Sequence, residues 1–427
     1  MASEKDADVL IVGGGLAGLS AAYTLAKAGK QVLLLERGPQ CGAKNVSGGR
    51  IYGAALEDLL GPSLMKRAPL GRRICQEELT LLSADTATTV SHQMGKTSAR
   101  KFSYSLLRAP FDAWLAKQAE QAGAMIATGM QAEDMLITDG TVTGIHSKGE
   151  TISADAVLLA DGIHSFLGQK AGLRQDVASS AAGLGVKAVI SLPESVLYDR
   201  FHLSDTHTGA AHLYAGETGG IPGGAFLYTN PASISIGVVL NLHDLAQSRK
   251  DIRQIWQDVL RHPAISPLLA GGTISEYSAH LVPESGFQGV PARLGRPGCL
   301  LLGDAAGFCL NLGFTIRGMD LAVWSGIAAA KAVLTAPSAN ALPQYYKKNL
   351  QPLLSLMKRF RNYPSLLANP RFFSAYPQMI NELMDALYTM HGTDAAPSPL
   401  KAGLSIVRRT VGIRHILTDS WEMIRSL

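Results

Sequence analysis

The chain has 427 residues, 47% hydrophobic and 17% charged, with a formal net charge of +5. That length holds two or three subdomains around a large shared core, and the low charged fraction excludes a disordered chain. The basic excess is small and dispersed, with no stripe of the kind that binds nucleic acid.

Val9 to Val12 reads as a short buried strand, and Gly13, Gly15 and Gly18 follow it as G-x-G-x-x-G. Leu19 to Ala28 then reads as a helix. This order turns the backbone tightly, brings it close to a pyrophosphate and aims helix N–H groups at the anion. Residues 9–26 carry no charge, but three consecutive glycines and the preceding Glu4, Asp6 and Asp8 argue against a membrane span or a signal peptide. A second strand, Gln31 to Leu35, ends in Glu36, at about the ~20-residue separation expected of a ribose-hydroxyl ligand. A dinucleotide site at the N-terminus follows from these elements together.

Cys41 to Arg50 is a loop of small residues, against whose backbone a flat group could lie. A helix from Ala54 to Leu60 and strands over 78–93 come next. Leu107 leads into a helix opened by Pro110, with Asp112 in its first turn and its end at Gly123. Strands are expected at Ala124 to Ala127, over 141–146 and over 151–160, the last ending in Asp161-Gly162. Alternating strands fill 183–290, interrupted by a helix near 250–261. Gly298 to Leu302 is another buried strand, followed at once by Gly303-Asp304. Gly313 to Asp320 then opens a long apolar helix over Leu321 to Leu334. Beyond Pro343 the sequence is helical, broken by Pro352, Pro364, Pro370 and Pro377. The expected partition is a discontinuous α/β nucleotide domain (1–75, 100–170 and 291–340), an inserted β-rich domain (76–99 and 171–290) and a helical C-terminal region (341–427).

The four cysteines, Cys41, Cys75, Cys299 and Cys309, form no C-x-x-C pair. They read as free thiols of a reducing, cytoplasmic compartment, and no metal site is expected. No internal repeat is evident.

The glycine loop with Glu36, Asp161-Gly162 and Gly303-Asp304 together resemble FAD proteins of the glutathione-reductase fold, in the branch of p-hydroxybenzoate hydroxylase. The resemblance implies that Asp304 accepts from a ribityl or ribose hydroxyl, as a charge-assisted bond, and that Arg108 lies near the FAD phosphates. Three strings narrow it: Gly42 to Gly49, Tyr277 to Gly286, and Gly303 to Phe308 with Gly313 to Asp320. They are similar to the bacterial Fix-type electron-transfer-flavoprotein:quinone oxidoreductases, from about residue 5 to at least residue 390. The resemblance implies an FAD enzyme that takes electrons from an electron-transfer flavoprotein and passes them toward quinone. Mitochondrial relatives carry a C-terminal ferredoxin-like domain with an iron–sulfur cluster, and this chain has no cysteine after Cys309. The bacterial branch implies instead a separate small ferredoxin-like iron–sulfur partner.

The cofactor contacts expected on this reading begin with Gly13, Gly15, Leu16, Ala17, Gly18, Glu36 and Arg37. They continue through Lys44, Ser47, Gly48, Gly49, Arg108, Met130, Asp161 and Gly162 to Gly303, Asp304, Gly313 and Phe314. No protein side chain is assigned a catalytic role, since the flavin carries the redox chemistry. The helix opened at Gly313 to Asp320 is expected to point N–H groups at the flavin carbonyl that becomes negative on reduction. Lys44 either adds positive charge there or is solvated. His280 reads as a structural histidine. Residues 353–390 interleave apolar and basic side chains, suiting either helices packed on the FAD domain or a peripheral contact with the inner face of the cytoplasmic membrane. Two other readings stay open: an NAD(P)H-dependent flavin monooxygenase or geranylgeranyl-type reductase, and a non-catalytic flavin subunit of an electron-transfer complex.

Overall fold

The structure, a computed structural model, describes residues 5–44, 48–95, 98–313, 315–389 and 398–426. Ala7–Val12 lies at the centre of an eight-stranded sheet, in parallel between Val32–Glu36 and Glu150–Leu159. Such a strand is covered on both faces, which is why it is apolar from Val9 to Val12. Val9, Leu10 and Ile11 are fully buried, each worth about 2 kcal/mol relative to exposure. Met125–Thr128 extends the sheet on one side and Cys299–Leu301 on the other, both in parallel. Helix Leu16–Lys27 packs against helices Met319–Thr335 and Arg108–Gln121. Strand order reverses at Ala7–Val12, which opens a crevice at the carboxyl ends of the parallel strands.

The second sheet has nine strands, all but one of its pairings antiparallel. Ala182–Ser191 runs between Ser233–Asn241 and Thr273–Pro283. Helices Glu194–Phe201, Leu242–Ser248 and Ile252–Arg261 cover one face, burying Leu197, Phe201, Trp256 and Val259. The single helix expected near 250–261 is thus one of a group. Gly48–Tyr52 and Ser103–Leu107, from stretches grouped by sequence with the nucleotide domain, pair with each other in this second sheet. Each is only five residues long, too short for its alternation to announce which sheet it joins.

Two helix starts differ from expectation. Helix Arg108–Gln121 begins two residues before Pro110, so Asp112 falls outside its first turn and pairs back to Arg108 at i,i+4. The long helix begins at Met319 and not at Gly313. Just before it Leu310–Asn311 and Ile316–Arg317 form a small hairpin, with Gly313 at φ +79° and Asn311 Oδ1 accepting from the Gly313 N–H at 2.9 Å.

The C-terminal region is helical, as expected. Leu353, Met357 and Tyr363 are buried in the core of the first sheet, so this part of 353–390 packs on the protein. Asn381 ties helix Ala375–Tyr388 to the edge of the second sheet, donating to the Leu81 carbonyl (3.0 Å) and to Ser83 Oγ (2.9 Å) and accepting from the Thr88 hydroxyl (2.6 Å). Arg371 and Tyr376 both hold Asp419 of the last helix, Ile413–Ser426.

Candidate cofactor cavity

A cavity of about 870 Å³ runs from the glycine loop, across the strand ends of the first sheet, to the inner face of the second. At its first end the loop geometry fits an anion. Gly13 has φ +107°, and a Cβ there would meet the Ala160 carbonyl oxygen at 2.2 Å, so only glycine serves. At Gly15 a Cβ would meet nothing within 4 Å, so the glycine leaves a cradle beside the helix start that a side chain would fill. Helix Leu16–Lys27 has no side-chain cap and no acid in its first turn. The first-turn N–H groups of Leu16, Ala17 and Gly18 therefore keep their partial positive charge for a ligand.

Glu36 lies in the cavity wall, as its spacing suggested, and also holds the glycine loop. Its carboxylate accepts from the Gly14 N–H at 2.8 Å and the Gly38 N–H at 2.5 Å, bracing the loop while still lining the cavity. Asp161 behaves likewise. It lines the cavity, but its oxygens accept from the Ser165 hydroxyl (2.8 Å) and the Leu167 N–H (3.2 Å). Arg37, Lys44 and Met130 line this end, and burial together with Arg37 pushes the Lys44 ammonium below its ordinary value.

Asp304 is the acceptor without a donor. It follows Cys299–Leu301, and no hydrogen bond to its carboxylate forms among the described residues. Burial pushes its carboxyl up, while Arg108, Arg174 and Lys187 oppose that shift. Asp304 is half-buried and turned to the cavity, so a hydroxyl of a bound dinucleotide would give its carboxylate a charge-assisted donor. The cradle at Gly15, the uncapped helix and this acceptor together fit FAD. Arg108 is held by Asp112 in a bidentate pair (3.0 and 2.8 Å) and reaches the same cavity.

The far end belongs to the second sheet. Phe226, Tyr228, Val239 and Val282 form an apolar and aromatic wall, joined by Met319 from the start of the long helix. Gly48, Gly49, Gly162 and Gly303 also line the cavity, whereas Gly18 and Gly313 are not in its wall. Ser47 and Phe314 lie outside the described residues. His280 is part of the wall; burial, with Lys187 and Arg108 close by, pushes its imidazolium down to about 4. Glu284, just beyond, is pushed up to about 7 by burial.

Sequence reasoning missed Lys187, Tyr228, Phe226 and Met319, which reach the cavity from distant stretches of chain. One signal was present: Lys187 is a lone charge inside the apolar run Gly183 to Ile190.

Comparison with known proteins agrees with this geometry. Residues 8–99 match the family described as FAD dependent oxidoreductase, and residues 363–427 match the ETF-QO/FixC family C-terminal domain. The chain is 43% identical over 424 residues to the protein FixC of Salmonella typhi, with 98% of each chain covered. It is 40% identical over 425 residues to a probable electron transfer flavoprotein-quinone oxidoreductase of Escherichia coli, again with 98% of each covered. Among solved structures, a geranylgeranyl bacteriochlorophyll reductase-like protein from Thermoplasma acidophilum superposes with a TM-score of 0.71 at 19% identity, covering 99% of this chain and 100% of that one. A myxobacterial FAD-dependent chondrochloren halogenase gives 0.67 at 18% identity, over 95% and 90% of the two chains. At these identities the structural likeness is one of fold.

Proposed function

This chain belongs to the ETF-QO/FixC family of FAD-dependent oxidoreductases, and from that premise we propose that it accepts electrons from an electron-transfer flavoprotein and delivers them toward quinone. The observation that carries this reading is the continuity of the cavity. One end suits the phosphates of FAD, and the other presents Phe226, Tyr228, Val239 and Met319 to a flat apolar acceptor. FAD supplies the electron chemistry when bound. Gly13 to Gly18 and Asp304 would hold its dinucleotide part, with Arg108 supplying positive charge.

A separate ferredoxin-like iron–sulfur protein completes the proposed route. The four cysteines lie apart in the sequence, three of them are buried, and burial pushes the Cys41 thiol up to about 12. Thiols so disposed do not supply the four thiolates of a cubane cluster.

The same reading places the chain on the inner face of the cytoplasmic membrane. Helices Pro399–Thr410 and Ile413–Ser426 expose Leu400, Leu404, Leu417, Trp421 and Ile424. Lys401, Arg408, Arg409, Arg414 and Arg425 are interleaved with them, the composition of a helix pair lying in an anionic lipid surface. Among the described residues no helix is long and apolar enough to cross a membrane.

The test is anaerobic stopped-flow absorbance of the FAD-loaded protein, mixed separately with reduced electron-transfer flavoprotein and with NADPH. Bleaching by the flavoprotein, followed by reoxidation with a quinone analogue, is expected. Bleaching by NADPH alone would overturn the proposal in favour of a monooxygenase or reductase.

A further inference from the structure

Strand Ala182–Ser191 of the second sheet turns a cation into the cavity from an otherwise apolar run. Lys187 sits within Ala182–Ser191, opposite Gly237 on one neighbour and Ser278 on the other. Two glycines leave room for its stem: a Cβ at Gly237 would meet Lys187 Cγ at 3.1 Å, and one at Gly185 would meet Cε at 3.5 Å. The stem therefore lies along the sheet over both glycines, and the side chain forms part of the cavity wall. No ion pair or hydrogen bond neutralises its ammonium among the described residues; Asp304 attracts it and Arg108 repels it. A half-buried cation on an apolar cavity wall, without a contact partner, favours an opposite charge arriving in the cavity to meet it.

We propose that Lys187 is the counter-charge for the negative charge that reduction places in this cavity, and thereby sets the midpoint potential of bound FAD. Two-electron reduction with uptake of one proton leaves one additional negative charge in the site. Fixed cations in a cavity of low polarity stabilise that charge far more than water-screened ones do. The inference concerns the cofactor alone and holds whichever donor and acceptor serve the enzyme.

Proton linkage gives the proposal a signature. Burial, with repulsion from Arg108, pushes the Lys187 ammonium down to about 8. The charged groups facing it are Arg108 from helix Arg108–Gln121, Asp304 from the loop after Cys299–Leu301, and His280 from Thr273–Pro283. On the adjoining strands Gly237, Val239 and Phe226 carry no titratable group, and burial holds the Tyr228 phenol far above its ordinary range. Below about pH 8 the amine is already protonated, and reduction takes up one proton. Above it the amine is neutral in the oxidised protein. The incoming negative charge then raises its proton affinity, so reduction takes up a second proton at Lys187 Nζ.

The experiment is a spectroelectrochemical titration of the FAD-loaded protein from about pH 6 to about pH 10. At about pH 7, Lys187→Met is expected to shift the two-electron equilibrium toward oxidised FAD by about tenfold, a potential about 30 mV more negative. Lys187→Arg keeps the charge and the potential at that pH, but loses the steeper fall of potential that the unaltered protein shows above about pH 8. Glu284 is common to all three proteins, so its titration cancels. An unchanged potential in Lys187→Met, or a steep slope that survives in Lys187→Arg, overturns the proposal. Should Lys187→Met fail to retain FAD, the slope comparison between the unaltered protein and Lys187→Arg decides alone.

Discussion

The two sheets that enclose the cavity contribute to it in different currencies. The first offers backbone for the phosphates, an uncapped helix start and a glycine at φ +107° against the Ala160 carbonyl, with the Asp304 carboxylate beside them. The second offers side chains, with Lys187, His280, Phe226 and Tyr228 standing on one face of a largely antiparallel sheet. Backbone recognition is strict, because no side chain can relax to accommodate a misplaced carbonyl. Side-chain recognition is adjustable, so the second sheet is where potential and acceptor choice are tuned.

The sharpest way to break this contrast is Gly13→Ala. Its Cβ would have to displace the Ala160 carbonyl from a position 2.2 Å away, at a φ that alanine resists, a cost of about 3 kcal/mol. The flavin-to-protein absorbance ratio after purification should fall by an order of magnitude or more, and a normal ratio would refute the strictness argued for this loop. Asp304→Ala comes next. Loss of a charge-assisted acceptor is worth about 2 kcal/mol, so FAD should dissociate roughly thirtyfold more readily in a fluorescence titration. Asp304→Asn should fall between Asp304→Ala and the unaltered protein.

Smaller effects are expected away from both sheets. Asp419 is almost completely buried and is held by Arg371 and Tyr376. Asp419→Asn should lower the stability of the C-terminal helices by about 2 kcal/mol in thermal unfolding at neutral pH. The Arg371 hydrogen bond is the largest influence on this carboxyl and holds it below its ordinary value. Its contribution is therefore complete above the unfolded value of about 4 and is lost as pH falls through the lower folded value. The difference between the two proteins should accordingly vanish in strong acid. Smallest of all, Trp421→Glu should weaken flotation with vesicles rich in anionic lipid by severalfold, with the flavin spectrum unchanged. Equal flotation would remove the last helix from the proposed membrane face.

Legibility in the sequence followed the same division. Gly13, Gly15, Leu16 and Asp304 were readable because a phosphate loop and a strand-end acid are local patterns, each complete within a few residues. Glu36 and Asp161 were found by the same patterns and do line the cavity. Their bonds to Gly14, Gly38, Ser165 and Leu167 depend on which way each carboxylate turns, and spacing says nothing of that. The hairpin before Met319 escaped because its strands, Leu310–Asn311 and Ile316–Arg317, are two residues each and carry no period. The exposed apolar face likewise lies beyond the core-packed residues of 353–390. Amphipathic helices read alike whether their apolar side meets a core or solvent.

By itself the sequence determined an α/β protein with a dinucleotide loop near its N-terminus, a β-rich insertion and a helical tail, because strand and helix periods and glycine spacing are short-range properties. Only the tertiary structure decided what meets at the far end of the cavity. Lys187 and Asp304 are separated by more than a hundred residues of chain, and they interact across one site because two sheets close on each other. A charge in a strand is anonymous until the fold chooses which groups face it, and that choice sets its proton affinity and its use.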